Sequence, residues 1–182
     1  GTGDYLTVPN RAPFSSMKNN GNSDMTVDAI IRLNSTGATR FIMAVGSASA
    51  YANALFWMHI NHTKKLAMTV QNNGGAGVAL IGATTFTTGV DYHVAYVKRG
   101  SVHTLYVNGT SDGTATSAIT LTDSTQPLTI GADARLTIQP WDGWIKEPRF
   151  SNVARWDADF TPPTAAYGTA TNTTLSATGS LV

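Results

Sequence analysis

The chain contains no cysteine, one glutamate, little charge and no long apolar run, and each shortage removes a class of protein. Without cysteine there is no disulfide, no thiolate nucleophile and no cysteine-bound zinc. Charged residues make up 13% of the chain, beside 42% hydrophobic residues, which excludes disorder driven by charge; a typical soluble domain carries about 25% charge. A net charge of +1, with Lys and Arg scattered, supplies no basic stripe, so no nucleic-acid partner is expected. No stretch approaches the ~20 apolar residues that span a bilayer, and no charged start followed by an apolar region marks a signal peptide. Of the eleven acids ten are Asp, and Glu147 stands alone; helical surfaces usually lean on Glu and Lys, so long helices are disfavoured. The chain begins GTGDYL, without Met, and reads as an excised or processed fragment.

What the chain has in plenty is Thr, with 27, and Gly, with 17, among 182 residues, a length that fits one domain. Period-2 alternation runs from end to end. In MTVDAIIRL, Met25, Val27, Ala29, Ile31 and Leu33 share one face, and Thr26, Asp28, Ile30 and Arg32 the other. DYLTVP, RFIMAVG, ALFWMHI, KLAMTVQ, YHVAYVK, HTLYVNG, PLTIGA and WIKEPRF read the same way, each bounded by Gly, Asn, Asp or Pro. The turn Lys98-Arg99-Gly100-Ser101 and the pair Asn108-Gly109 predict consecutive hairpins over residues 92–117. The whole predicts an all-β antiparallel fold, a sandwich or a barrel. Only residues 49–53 and 152–156 suggest short helical turns. Residues 161–174 read as an extended arm, and TTLSATGSLV as a closing strand or a linker.

Taken in order, the strands carry a family resemblance. DYHVAYVKRGSVHTLYVNGT resembles the "W-H-H-V-A … L-Y-V-D-G" hairpin of laminin G-like domains in the concanavalin A-like lectin/glucanase superfamily, through His93, Ala95, Leu105, Tyr106, Val107 and Gly109. DYLTVP is similar to the family's opening strand, MTVDAIIRL to "F-T-V-E-A-W-V", and PLTIGA with WDGWIKEPRFSNVARW to "L-T-I-G … F-N-G-Y-I-D-E-V-R-I". VARWDADFTPP resembles an ending found in such domains on bacteriophage tail and fibre proteins. The resemblance implies a concanavalin A-like jelly roll over residues 1–163, with residues 164–182 as a C-terminal arm or closing strand of the same domain. It also implies a glycan or polysaccharide ligand, a larger parent virion or surface protein, an extracellular or virion location, and room for a homotrimer. No cofactor is required, and calcium is allowed. At two places the chain departs: Pro148 replaces an apolar strand residue, and Lys146 stands where the family usually has Asp, and an ammonium cannot coordinate Ca²⁺. Lys146 is expected to replace the cation there, pairing with a carboxylate such as Asp4.

Catalysis in this superfamily resembles E-x-D-x-(x)-E, because retaining hydrolysis needs two carboxyl groups about 5 Å apart. Glu147 has no glutamate partner and sits between Lys146 and Pro148, near Arg149, so it reads as structural. Asp157 with Asp159 is the remaining pair, read as solvated or capping. His59 and His62 fall on opposite faces of a strand, unlike zinc ligands on a helix. Four Asn-x-Ser/Thr sequons are near what this composition gives by chance. The expectation is a protein that binds without cleaving.

Sugars present apolar C–H faces ringed by hydroxyls, so a site for them joins an aromatic platform to polar side chains. Two regions have that mix. One is Arg135, Gln139, Trp141 and Asp142, with Trp144 beside them. The other is the strand carrying Trp57, His59 and Asn61 on the face opposite Phe56, Met58 and Ile60, extended by Tyr51. The alternative is a structural or protein-interaction module with no glycan ligand. Exposed Trp57 and Trp141 rings favour the first reading; buried rings favour the second.

Overall fold

The computed structural model describes residues 4–10, 24–46, 55–72, 77–119, 121, 125–133, 139–167, 174–176 and 180–181. Among them are strands and no helix. β1 (Leu6–Val8), β3 (Arg40–Val45), β4 (Phe56–Ile60), β5 (Leu66–Gln71), β6 (Gly77–Ile81) and β10 (Leu128–Ile130) form one sheet, in the order β1-β10-β3-β4-β5-β6. β2 (Met25–Leu33), β7 (Asp91–Arg99), β8 (Val102–Val107), β9 (Thr110–Thr116), β11 (Gly143–Ser151) and β12 (Thr174–Ser176) form the other, in the order β12-β11-β2-β7-β8-β9, and β13 (Ser180–Leu181) also pairs with β11. Neighbours are antiparallel throughout. The fold is the expected two-sheet sandwich, and the C-terminal segment contributes strands to it.

Alternation builds the core. Met25, Val27, Ala29, Ile31 and Leu33 of β2 point between the sheets, joined by Val94, Tyr96 and Leu105, and meet Phe56, Met58, Ile60, Leu66, Met68 and Val70 from the opposite sheet. Phe56 and Phe150 stack across the interface with centroids 5.8 Å apart. Each large apolar side chain so buried contributes about 1.5–3 kcal/mol. The predicted hairpins form: Asn108 (φ 51°) and Gly109 (φ 80°) adopt the two positive-φ positions of a type I′ turn between β8 and β9, and Gly100 (φ 55°) opens the two-residue turn between β7 and β8.

The second sheet's outer face departs from simple alternation. Thr26 and Asp28, on the polar side of β2, are both 0% exposed. The cause is the chain after β11, which folds back as a strap over residues 152–167. Its first five residues carry bends and no helix; residues 49–53 lie outside the described residues. Ala154, Trp156 and Phe160 of the strap pack on Ala95, Val97 and Tyr106. Hydrogen bonds fasten it along its length: Thr26 Oγ1 to Val153 O (2.7 Å), Arg155 N to Thr26 Oγ1 (3.0 Å), Phe160 N to Gly109 O (2.9 Å), Ser111 N to Asp159 Oδ1 (2.9 Å) and Tyr167 N to Glu147 Oε2 (3.0 Å).

Candidate functional site

The residues proposed from sequence fall in different places. Trp57 and His59 lie on the first sheet's outer face, both half-buried, with Phe56, Met58 and Ile60 inward as expected. His59 stacks on Phe41 with centroids 5.3 Å apart, and burial pushes its pKa down to about 4, so it is neutral at physiological pH. Asn61 is a correction: it is buried, and its Oδ1 accepts hydrogen bonds from Thr63 N, Thr63 Oγ1 and Lys65 N, closing the β4–β5 turn. Trp141 is another, since its ring is 3% exposed within the core and its Nε1 donates to Trp144 O. A ring held between sheets cannot act as a platform. Asp142 accepts a hydrogen bond from Ser35 Oγ, and Gln139, at φ 56°, gives its carbonyl to Phe41 N. Both hold the 139–142 loop. Tyr51 and Arg135 lie outside the described residues.

The carboxylates weighed for catalysis also have structural partners. Glu147 Oε2 and Asp159 Oδ1 accept backbone N–H groups of the strap and of β9, and Asp157 Oδ2 receives Arg99 Nη1 at 2.7 Å. Asp28, one of the buried charges, accepts two hydrogen bonds of 2.9 Å from Arg149 and one of 2.5 Å from the Tyr167 hydroxyl; His93 Nε2 lies 3.4 Å from the same oxygen. Arg149 also stacks over the Tyr167 ring at 3.6 Å. Burial and the neighbouring Asp28 raise the Tyr167 phenol's pKa well above its usual value. The cluster is a fastening for the strap, with its polar atoms turned on one another.

Beside that fastening the strap leaves an opening. A cleft of about 290 Å³ is lined by Val97 and Arg99 of β7, Val102, Thr104 and Tyr106 of β8, and Trp156 and Asp157 of the strap. The register explains the gathering: Arg99 pairs with Val102, Val97 with Thr104 and Ala95 with Tyr106, so these side chains share the outer face. Trp156 is held by a parallel stack on Phe160, centroids 3.9 Å apart, and by the edge of His93. At the mouth, the Arg99 and Asp157 side chains are 53% and 62% exposed. Their ion pair adds little stability at that exposure, but it sets donors and an acceptor beside two aromatic rings. Sequence reasoning passed over this site because Trp156 and Asp157 lie in the strap, and only its docking brings them to β7 and β8.

The place where the family's Asp is replaced by Lys146 does not fit calcium. The Lys146 ammonium lies 3.9 Å from the Trp144 ring centroid; the expected pairing with Asp4 is not formed. Among the described residues no group of three or more His, Asp or Glu could hold a metal ion.

A sequence model described as the concanavalin A-like lectin/glucanases superfamily matches residues 1–159. Among solved structures, a proposed carbohydrate-binding protein from Bacteroides ovatus is 19% identical with a TM-score of 0.61, over 84% of this chain and 42% of that one. The CBM40 of the Ruminococcus gnavus IT-sialidase, solved with α2,3-sialyllactose, is 16% identical with a TM-score of 0.60, over 77% and 84%. A heptameric SAP-like pentraxin from Limulus polyphemus is 14% identical with a TM-score of 0.57, over 97% and 84%. The chain thus spans less than half of the Bacteroides protein. No curated protein sequence matches it.

Proposed function

The chain belongs to the concanavalin A-like lectin/glucanases superfamily, and from that premise we propose that it is a non-catalytic carbohydrate-binding module whose ligand sits in the Trp156–Tyr106 cleft. The observation that carries this reading is the joining of the Trp156 ring with Arg99, Asp157 and Thr104 in one open recess floored by the buried Tyr106. A pyranose needs an apolar surface for its C–H face and fixed polar groups for its hydroxyls, and the cleft has both. The likeness to a carbohydrate-binding module solved with a sialylated sugar supports the reading. The engagement of Glu147 and Asp159 by backbone N–H groups supports binding without hydrolysis.

The proposal extends to setting: a module of a larger phage tail or bacterial surface protein, displayed outside the cell. Its support is the likeness of VARWDADFTPP to tail-protein endings, which is the sequence that builds the strap. Calcium is not assigned a role in binding.

A glycan array tests the function. The expected result is a defined set of bound glycans, with binding weakened about tenfold or more by Trp156→Ala, a loss of roughly 1.4 kcal/mol. Arg99→Ala, on the exposed rim, serves where Trp156→Ala disturbs folding, and is expected to alter which glycans are bound. No bound glycan, with or without calcium, would favour the structural or protein-interaction module instead.

A further inference from the structure

The outer face of the second sheet carries another group of side chains far from the cleft. Cross-strand register sets Trp144 of β11 beside Arg32 of β2, and Arg32 beside Asp91 of β7; Lys146 follows Trp144 by two residues on the same face. The Arg32 guanidinium carbon lies 5.1 Å and the Lys146 ammonium 3.9 Å from the Trp144 ring centroid. Two cations are therefore gathered by one indole, whose electron-rich face attracts them.

Their hydrogen-bonding capacity is only partly used. Arg32 donates to Asp91 through Nε, and its two terminal nitrogens meet no acceptor among the described residues. Lys146 is exposed, and its ammonium forms no ion pair among the described residues. An ammonium has three donors and no acceptor, and contact with a ring face leaves N–H groups for a ligand. Counting Arg32, Lys146 and Asp91, the patch keeps one positive charge.

We propose that Trp144, Arg32 and Lys146 form a second subsite, which takes the carboxylate of an acidic saccharide. The proposal rests on the glycan-binding reading of the chain. Lys146 pairs with Ile30 and so lies diagonal to Arg32; diagonal neighbours stand about 7–8 Å apart, within reach of long side chains, so one carboxylate can meet the Lys146 ammonium and a terminal nitrogen of Arg32. The six steps along β7 from Asp91 to Val97, at about 3.3 Å each, put some 20 Å between this patch and the cleft. It is a separate point of contact, and it selects for charge where the cleft selects for shape.

Calorimetric titration of the full chain with galacturonate and glucuronate oligosaccharides, each beside its methyl ester, tests the proposal, because esterification removes the charge and keeps the sugar. The acid is expected to bind about five- to tenfold more tightly than its ester at low salt, as two partly exposed ion pairs allow. That ratio should fall toward one in Lys146→Gln, in Arg32→Gln and in high salt, while Trp156→Ala weakens acid and ester alike and keeps the ratio. Equal binding of acid and ester, an acid preference that survives Lys146→Gln, or no binding of either probe would overturn the subsite. An acid preference that needs Lys146, with the affinities of acid and ester both unchanged in Trp156→Ala, would instead overturn the cleft and leave the subsite standing. Neutral glycans that need Trp156, with an acid-to-ester ratio of one, would do the reverse.

Discussion

Asp28 illustrates how far one residue's meaning depends on what covers it. In the sequence it is the polar member of an alternating strand; in the fold it is 0% exposed and bonded to Arg149 and Tyr167. Removing one partner of a buried pair leaves an uncompensated charge, so Asp28→Ala is expected to destabilise the protein by about 3–5 kcal/mol in urea unfolding. Asp28→Leu combined with Arg149→Met should recover much of that loss. A cost for Asp28→Ala no larger than that of an exposed substitution would show the pair to be solvated.

His59 makes a pH prediction. Its pKa is about 4 in the fold against an ordinary 6.5, and desolvation is the main cause. The unfolded chain therefore binds the proton more readily than the folded one between these values. The stability tied to a neutral His59 is complete above pH 6.5 and is lost as pH falls toward 4. His59→Phe, which keeps a ring against Phe41, should flatten this part of the stability profile, by about 2–3 kcal/mol across the window. An unchanged slope in the variant would contradict the burial argument. The alternation of ALFWMHI correctly separated Phe56, Met58 and Ile60 from Trp57 and His59, because a strand's period is local. Whether the outward rings meet solvent depends on distant chain, and for His59 they meet Phe41.

At the scale of elements, the strap over residues 152–167 turns a plain sheet face into a built one. It brings Trp156 to Tyr106, covers Asp28, and touches the β8–β9 turn so closely that a Cβ on Gly109 would lie 1.8 Å from Phe160 O. Gly109 also has φ 80°, so Gly109→Ala meets both backbone strain and a steric clash. The expected cost is roughly 2 kcal/mol or more, with faster hydrogen exchange of the Phe160 amide as the strap lifts. Unchanged exchange there would mean the strap is held from elsewhere. Strands and hairpins were legible in the sequence, since alternation and turn residues act over a few positions. The strap was not, because residues 152–163 have no period, and their docking follows from contacts with β2, β7 and β8 more than 45 residues away. The core role of Trp141 was hidden for the same reason: its backbone N–H is held by Gly131 O, ten residues back, and its ring joins a core built from both sheets.

For the whole molecule, the composition that opened the reading acquires a structural sense. Low charge and abundant Thr suit two broad antiparallel sheets, and on the second sheet's outer face Asp28 pairs with Arg149, Arg99 with Asp157 and Arg32 with Asp91, while Lys146 sits over the Trp144 ring. The single glutamate caps the strap. On the proposed function the ligand face is the strap-covered sheet, with Trp156 at its centre. Chemical-shift mapping of the isotope-labelled chain, titrated with a glycan taken from the array, tests that placement most directly. The account predicts shifts concentrated at Val97, Thr104, Tyr106 and the Trp156 indole N–H. Shifts centred on Trp57 and Thr69 of the opposite sheet, with the Trp156 signals unmoved, would contradict it.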